Sequence, residues 1–191
     1  VHPNTHVNMG QSTNDVIPSA MKIARYIYLD RLASSTLKLV QSLQKKEKEF
    51  QNVVKLGRTC IQDALPVTLG QEFSGYADMA ERRYHQIVAL RDRCTELPLG
   101  ATAVRTKMSV RTGYIDTVYD ELSSILGREV RCEENLFDAL QNADIYADIS
   151  AGVKALACGV SKIATDLRIM SSGPMAGLCE IILPAVQPGS S

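Results

Sequence analysis

Residues 17–50 read IPSAMKIARYIYLDRLASSTLKLVQSLQKKEKEF, and this run decides the fold. Ala20, Met21, Ala24, Ile27, Tyr28, Leu32, Leu39, Val40 and Leu43 recur at three- and four-residue steps, the spacing of one helix face. After Pro18 neither Gly nor Pro interrupts the chain until Gly57. Pro18 suits a first helical turn, where its missing N–H is not needed, and Asn14 or Asp15 serves as the cap. The spacing therefore predicts one long helix over 17–50, closed by the solvated charge run Lys45-Lys46-Glu47-Lys48-Glu49.

Outward from this helix, the same periodicity predicts a second over 68–95, with Leu69, Phe73, Tyr76, Ala77, Ala80, Tyr84, Ile87 and Leu90 on one face and His85 an ordinary helix residue. The stretch 53–64 between them reads as an irregular loop. Residues 97–113, broken by Pro98, Gly100 and Gly113, read as an extended connection, and a shorter helix over 114–126 stops at Gly127. A third long helical region runs over 134–170. Its small residues Ala143, Ala147, Ala151, Ala155 and Ala157 allow helices to approach closely, and Ser171-Ser172-Gly173-Pro174 ends it. The fold class is all-α, a bundle of long helices. A helix of about 30 residues spans about 45 Å, and three such rods cannot bury apolar stripes on all sides. Association into a larger bundle is the expected remedy, a monomeric three-helix bundle or coiled-coil spacer the alternative.

Acidic and basic residues balance at 21 each, which excludes partners recruited by bulk charge, nucleic acid and membrane surfaces among them. Cys60, Cys94, Cys132, Cys158 and Cys179 are odd in number and scattered, with neither the spacing of a zinc site nor a disulfide framework. Reduced thiols of a cytoplasmic protein are the simplest reading. No apolar run reaches membrane-spanning length. The chain opens without Met and stops within Pro188-Gly189-Ser190-Ser191, which reads as a piece of a longer protein.

Three polar clusters fall where helices begin or end: Gln11-Ser12-Thr13-Asn14, Gly57-Arg58-Thr59-Cys60 and Gly189-Ser190-Ser191. Hydroxyls, an amide and helix N-terminal N–H groups are the donors needed to hold carboxylates. Taken singly, each has a plainer reading: a helix cap at Ser12 to Asp15, a loop with one solvated Arg at Arg58, and a flexible tail at Gly189 to Ser191.

Taken together the clusters resemble the three signature regions of the aspartase/fumarase superfamily. The first runs from His2-Pro3-Asn4 to Asn14-Asp15. The second is Gly57-Arg58-Thr59-Cys60-Ile61-Gln62-Asp63-Ala64 with Leu69-Gly70-Gln71-Glu72-Phe73. The third runs from Ser171-Ser172-Gly173-Pro174-Met175-Ala176-Gly177-Leu178 to Gln187-Pro188-Gly189-Ser190-Ser191. The resemblance implies that residues 1–191 form the central helical domain, outside which lie an N-terminal domain, the rest of the catalytic loop and a C-terminal domain. It implies a homotetramer with a core of long helices, each active site drawing on three subunits. It also implies elimination of an amine or hydroxyl from a succinyl skeleton to release fumarate, without an organic cofactor and with no metal ligand assigned. The small-molecule partner is then a dicarboxylate, L-aspartate or fumarate.

By the same resemblance Ser190 is the general base, and Ser12, Thr13, Asn14 and Thr59 bind the substrate carboxylates or amino group. Cys60 lies beside the substrate, and Ser191 is a further substrate-binding residue. A substrate-binding Lys and Asn beyond Ser191, and a Thr upstream of residue 1, are not in this chain. Ser12-Thr13-Asn14, Leu99-Gly100-Ala101-Thr102-Ala103 and Gln141-Asn142-Ala143-Asp144 lean toward aspartate ammonia-lyase, with fumarase as the alternative and a non-catalytic oligomerisation core as the rival for the isolated chain. Several positions depart from the family pattern. Cys60 stands where His or Gln is usual and reads either as a substrate neighbour or as a small buried filler. Gly10 stands for a usual Ser, and Thr5 replaces an Asp beside His2 and Asn4, which match part of a secondary anion site. Arg105 and Lys107 replace glycines, residues that serve positive φ or close backbone approach.

Overall fold

The structure, a computed structural model, describes residues 1–108 and 110–185. The expected long helices are present, with shifted ends. A five-residue π-helix, Pro3–Val7, precedes helix α1, Thr13–Glu49. Helix α2 spans Leu69–Arg93, α3 Tyr114–Leu126, α4 Leu136–Gln141 and α5 Asp144–Met170. No helix among the described residues is long and apolar enough to cross a membrane.

Three expectations need correction. Helix α1 starts at Thr13, so Pro18 lies inside the helix and not in its first turn. Ser12 is the cap: its Oγ accepts from Asn14 N at 3.1 Å, while Asp15 Oδ1 accepts from Ser12 N at 2.9 Å, a reciprocal capping box. The region 53–64 is not an irregular loop but most of an antiparallel hairpin, β1 Val54–Thr59 and β2 Gln62–Thr68, so the fold is mainly rather than purely helical. The region 134–170 is two helices, because Asn142 adopts extended φ, ψ (−105°, 140°) and breaks the ladder.

The chain divides into two compact units. The first comprises Val1–Ser34 and His85–Gly152. Its core is Leu97, Leu99, Tyr119 and Val130, packed with Val16, Ile23, Ile115, Val118 and Leu122. A short parallel pair, β3 Glu96–Leu97 and β4 Arg131–Cys132, crosses it. The Tyr119 hydroxyl lies 2.7 Å from Leu97 O and 3.0 Å from Leu99 O, so the connection after β3 is tied to α3; burial raises the Tyr119 pKa. Lys22, almost fully buried, donates to Glu133 Oε2 at 2.7 Å and to Glu96 O at 2.8 Å. A buried ammonium is tolerated only with such partners. Gly127 ends α3 in the left-handed region at φ 61°, as its sequence position implies.

The second unit comprises Ser35–Tyr84 and the chain from Val153 onward. Val40, Leu43, Leu69, Phe73, Tyr76, Ala77, Ala80, Ile163 and Met170 form its core. Phe73 stands edge-on to both Phe50 and Tyr76, at centroid distances of 5.4 and 5.6 Å. The hairpin belongs to this unit. Its register slips between Leu56 and Arg58, leaving an extra residue in β2 opposite Gly57. A Cβ on Gly57 would stand 2.6 Å from Leu65 O, so only glycine fits there.

Candidate functional site

The first unit presents Ser12, Thr13 and Asn14 at the start of α1. The opening N–H groups of a helix have no intrahelical partner and carry partial positive charge, a ready cradle for a carboxylate. Thr13 and Asn14 are exposed, and Ser12 is half-buried. This end is held from below by Asp15, which is 0% exposed. Besides Ser12 N, its carboxylate accepts from Gly100 N at 3.1 Å and Thr102 N at 2.8 Å through Oδ2. Asn14 Nδ2 donates to Ala103 O at 3.0 Å. The turn 100–103 and the helix start are therefore one locked assembly. Sequence reading treated Asp15 as a cap; its longer-range role lies in pairings with residues far along the chain.

The same connection bears on the two replaced glycines. Arg105 and Lys107 adopt φ of 73° and 60°, the left-handed region that glycine enters freely, and Thr102 does so at 61°. Each such non-glycine residue costs about 1–2 kcal/mol. Arg105 Cζ lies 5.8 Å from the Phe137 ring centroid, and its Nε is buried without a hydrogen-bond partner.

The second unit presents Thr59 and Cys60 at the hairpin tip. Thr59 pairs with Gln62, leaving Cys60 and Ile61 as a two-residue turn at φ 51° and 64°. Such a turn normally takes Asn-Gly, and a β-branched Ile at positive φ is strained. Thr59, Cys60 and Ile61 are all exposed, so Cys60 is not a buried filler within this chain.

Behind the tip lies a cluster that sequence reading missed. Glu180 Oε1 accepts from Arg58 Nη1 at 2.5 Å, and Glu180 Oε2 lies 2.7 Å from Lys55 Nζ. Lys55 also grips both oxygens of Glu72, at 3.0 and 2.9 Å. Burial alone would raise the Glu180 carboxyl, but bonds from Arg58 and Lys55 outweigh it and hold the pKa below the ordinary carboxylate value. Burial likewise opposes the Lys55 ammonium, and bonding to Glu180 and Glu72 wins, raising its pKa. These four side chains line a cavity of about 620 Å³ together with Tyr76, Lys162 and Asp166. There Tyr76 donates to Asp166 at 2.8 Å, and Lys162 pairs with the same carboxylate. Alternation could not reveal the cluster: a three-residue spacing in a regular strand points side chains to opposite faces. The register slip at Gly57 and the reach of two long cations let Lys55 and Arg58 converge.

The structure thus groups Ser12, Thr13 and Asn14 in one unit and Thr59 and Cys60 in the other. Ser190 and Ser191 lie outside the described residues. Among the described residues no group of three or more His, Cys, Asp or Glu could hold a metal ion.

Comparison with known proteins bears on what these groups do. A family model described as Lyase matches residues 1–191. The aspartate ammonia-lyase of a Bacillus species is 46% identical over 191 residues, a match covering 100% of this chain and 41% of that protein. The mitochondrial fumarate hydratase of Rattus norvegicus is 43% identical over 192 residues, covering 100% of this chain and 38% of the relative. The crystal structure of a class II fumarase from Schistosoma mansoni superposes with a TM-score of 0.94 at 33% identity, covering 100% of this chain and 43% of that one. The chain therefore spans about two fifths of the length of the relatives it matches.

Proposed function

The chain belongs to the lyase family, and from that premise we propose that its protein adds to or eliminates from a C4 dicarboxylate, with fumarate as the unsaturated partner. The observation that carries this reading is the locked start of α1, which offers the exposed side chains of Thr13 and Asn14 to an anion at the positive end of the helix. Thr59 and Cys60, exposed at the hairpin tip, add a hydroxyl donor and a small neighbour. In the finer reading the reaction is that of an aspartate ammonia-lyase. Ser190, as an oxyanion, takes a proton from the carbon next to one carboxylate, giving a dianionic aci-carboxylate. The C–N bond then breaks and ammonia leaves with fumarate. Donors around the aci-carboxylate supply the stabilisation, with Ser12, Thr13, Asn14, Thr59 and Ser191 binding the carboxylates or the amino group.

A fumarase shares every step but the leaving group, which departs as hydroxide and takes a proton from solvent to become water. Relatives of both kinds match at nearly equal identity, 46% and 43%, and a fumarase structure shares the fold, so this second reading stands beside the first. Exposed apolar side chains on the long helices, Ile17 and Tyr28 on α1 and Val160 on α5, support assembly as a homotetramer, whose sites would combine α1 starts and hairpin tips from different subunits.

The test is ultraviolet detection of fumarate with the full-length protein supplied separately with L-aspartate and L-malate. Fumarate from one of the two, lost on Thr13→Ala and on Ser190→Ala, is the expected result and identifies the leaving group. No fumarate from either would refute the proposal and leave the oligomerisation core as the reading.

A further inference from the structure

We propose that Glu180 is a positioning residue that sets the hairpin tip carrying Thr59 and Cys60, an inference that rests on the reading of that tip as part of the substrate site. Backbone pairing of Thr59 with Gln62 closes the tip, but its side chains are not buried. Its two turn residues occupy the left-handed region, and everything from Thr59 to Pro66 is exposed. What fixes it is Arg58, immediately before Thr59, whose guanidinium meets Glu180 at 2.5 Å. Glu180 is itself well anchored: its N–H donates to Met170 O at 2.9 Å, and Cys179 N donates to Ser172 O at 2.8 Å. The carboxylate thus stands on the end of α5 and holds the end of β1 from there.

The charge arrangement makes the effect local. Lys55 and Arg58 face Glu72 and Glu180, two cations against two carboxylates. Neutralising Glu180 leaves Lys55 still bound to both oxygens of Glu72. Arg58 keeps at most a neutral amide oxygen in place of the carboxylate, with Asp63 3.8 Å away and 78% exposed and Glu72 acting on it only at longer range. The root of the strand keeps its charged hold and the tip loses its own. A residue that merely supported the fold would loosen both together.

The experiment is Glu180→Gln in the full-length protein, read by hydrogen–deuterium exchange and by steady-state kinetics with whichever of L-aspartate or L-malate is turned over. Exchange at 59–62 should accelerate about tenfold or more while 54–55 stays as in wild type. The KM for the dicarboxylate should rise about tenfold, with a smaller change in kcat. Because Glu180 acts through the tip, the loss in kcat/KM of the Thr59→Ala/Glu180→Gln double variant should be smaller than the product of the two single losses. Unchanged exchange at the tip, equal acceleration at the strand root, or losses that multiply in the double variant would each overturn the proposal. If Glu180→Gln does not fold, Arg58→Gln/Glu180→Gln removes both charges, leaves no unpaired buried ion and carries the same expectations. A wild-type protein that turns over neither substrate refutes the functional reading instead, and the exchange result alone then decides whether Glu180 sets the tip.

Discussion

Asp15→Asn tests whether one carboxylate locks the start of α1 to the turn 100–103. The substitution keeps shape and volume but converts one accepting oxygen into a donor. Asp15 is fully buried and takes three N–H groups, from Ser12, Gly100 and Thr102. The better orientation of the new amide keeps its oxygen on Gly100 and Thr102 and turns its NH2 toward Ser12 N, donor against donor. An unsatisfied buried N–H costs about 1–3 kcal/mol, and the two surviving bonds each weaken by about 1 kcal/mol on losing the charge. The smaller desolvation cost of a neutral amide offsets part of this. The net is about 3 kcal/mol, or about two decades in the local opening equilibrium. Amide exchange resolved at Gly100 and Thr102 should therefore run about a hundredfold faster in Asp15→Asn, with helical circular dichroism retained. Exchange at both positions within about threefold of wild type, in a folded variant, would refute the reasoning and place the lock elsewhere in the turn.

Relief of backbone strain should be measurable: Arg105→Gly combined with Lys107→Gly should stabilise the protein by about 1–2 kcal/mol after the entropy cost of glycine, a rise in Tm of about 2–8 °C, and an unchanged or lower melting temperature counts against strain at those φ values. Glu180 has its folded pKa lowered, so its contribution to stability is complete above the ordinary carboxylate pKa and fades as pH falls through the folded value. The stability gap between wild type and Glu180→Gln in urea titrations should accordingly be constant near neutral pH and shrink below about pH 4; a gap that grows in acid contradicts the assignment. Burial raises the Cys94 thiol, whereas Cys60, Cys158 and Cys179 are exposed. Thiol labelling of the native chain should spare Cys94 until denaturant is added, and early modification of Cys94 would show that its core opens.

Much of the helical architecture was legible because a face repeating every 3.6 residues is a local property. Helix α3 matches its expected bounds at both ends, since Gly113 and Gly127 mark them chemically. Helix α1 begins four residues before the expected start because Ser12 and Asp15 cap each other, a geometry that outweighs the preference of Pro18 for a first turn. The hairpin escaped for the opposite reason. Val53 to Ala64 shows no apolar alternation, and its turn is Cys60-Ile61, not a residue pair that favours positive φ. Its register depends instead on Gly57 packing under Leu65.

The sequence by itself determined the long helices, the family resemblance and the candidate substrate residues, because each of these is written in neighbouring residues or in short motifs. Tertiary structure alone decided that Asp15 serves Gly100 and Thr102, that Arg105 and Lys107 stand in glycine's conformation, and that Lys55 and Arg58 meet at Glu180. Those pairings join residues as far as 125 positions apart, as between Lys55 and Glu180. No local preference encodes them; they form only because packing brings the groups together and burial then makes every unpaired charge or N–H too costly to leave.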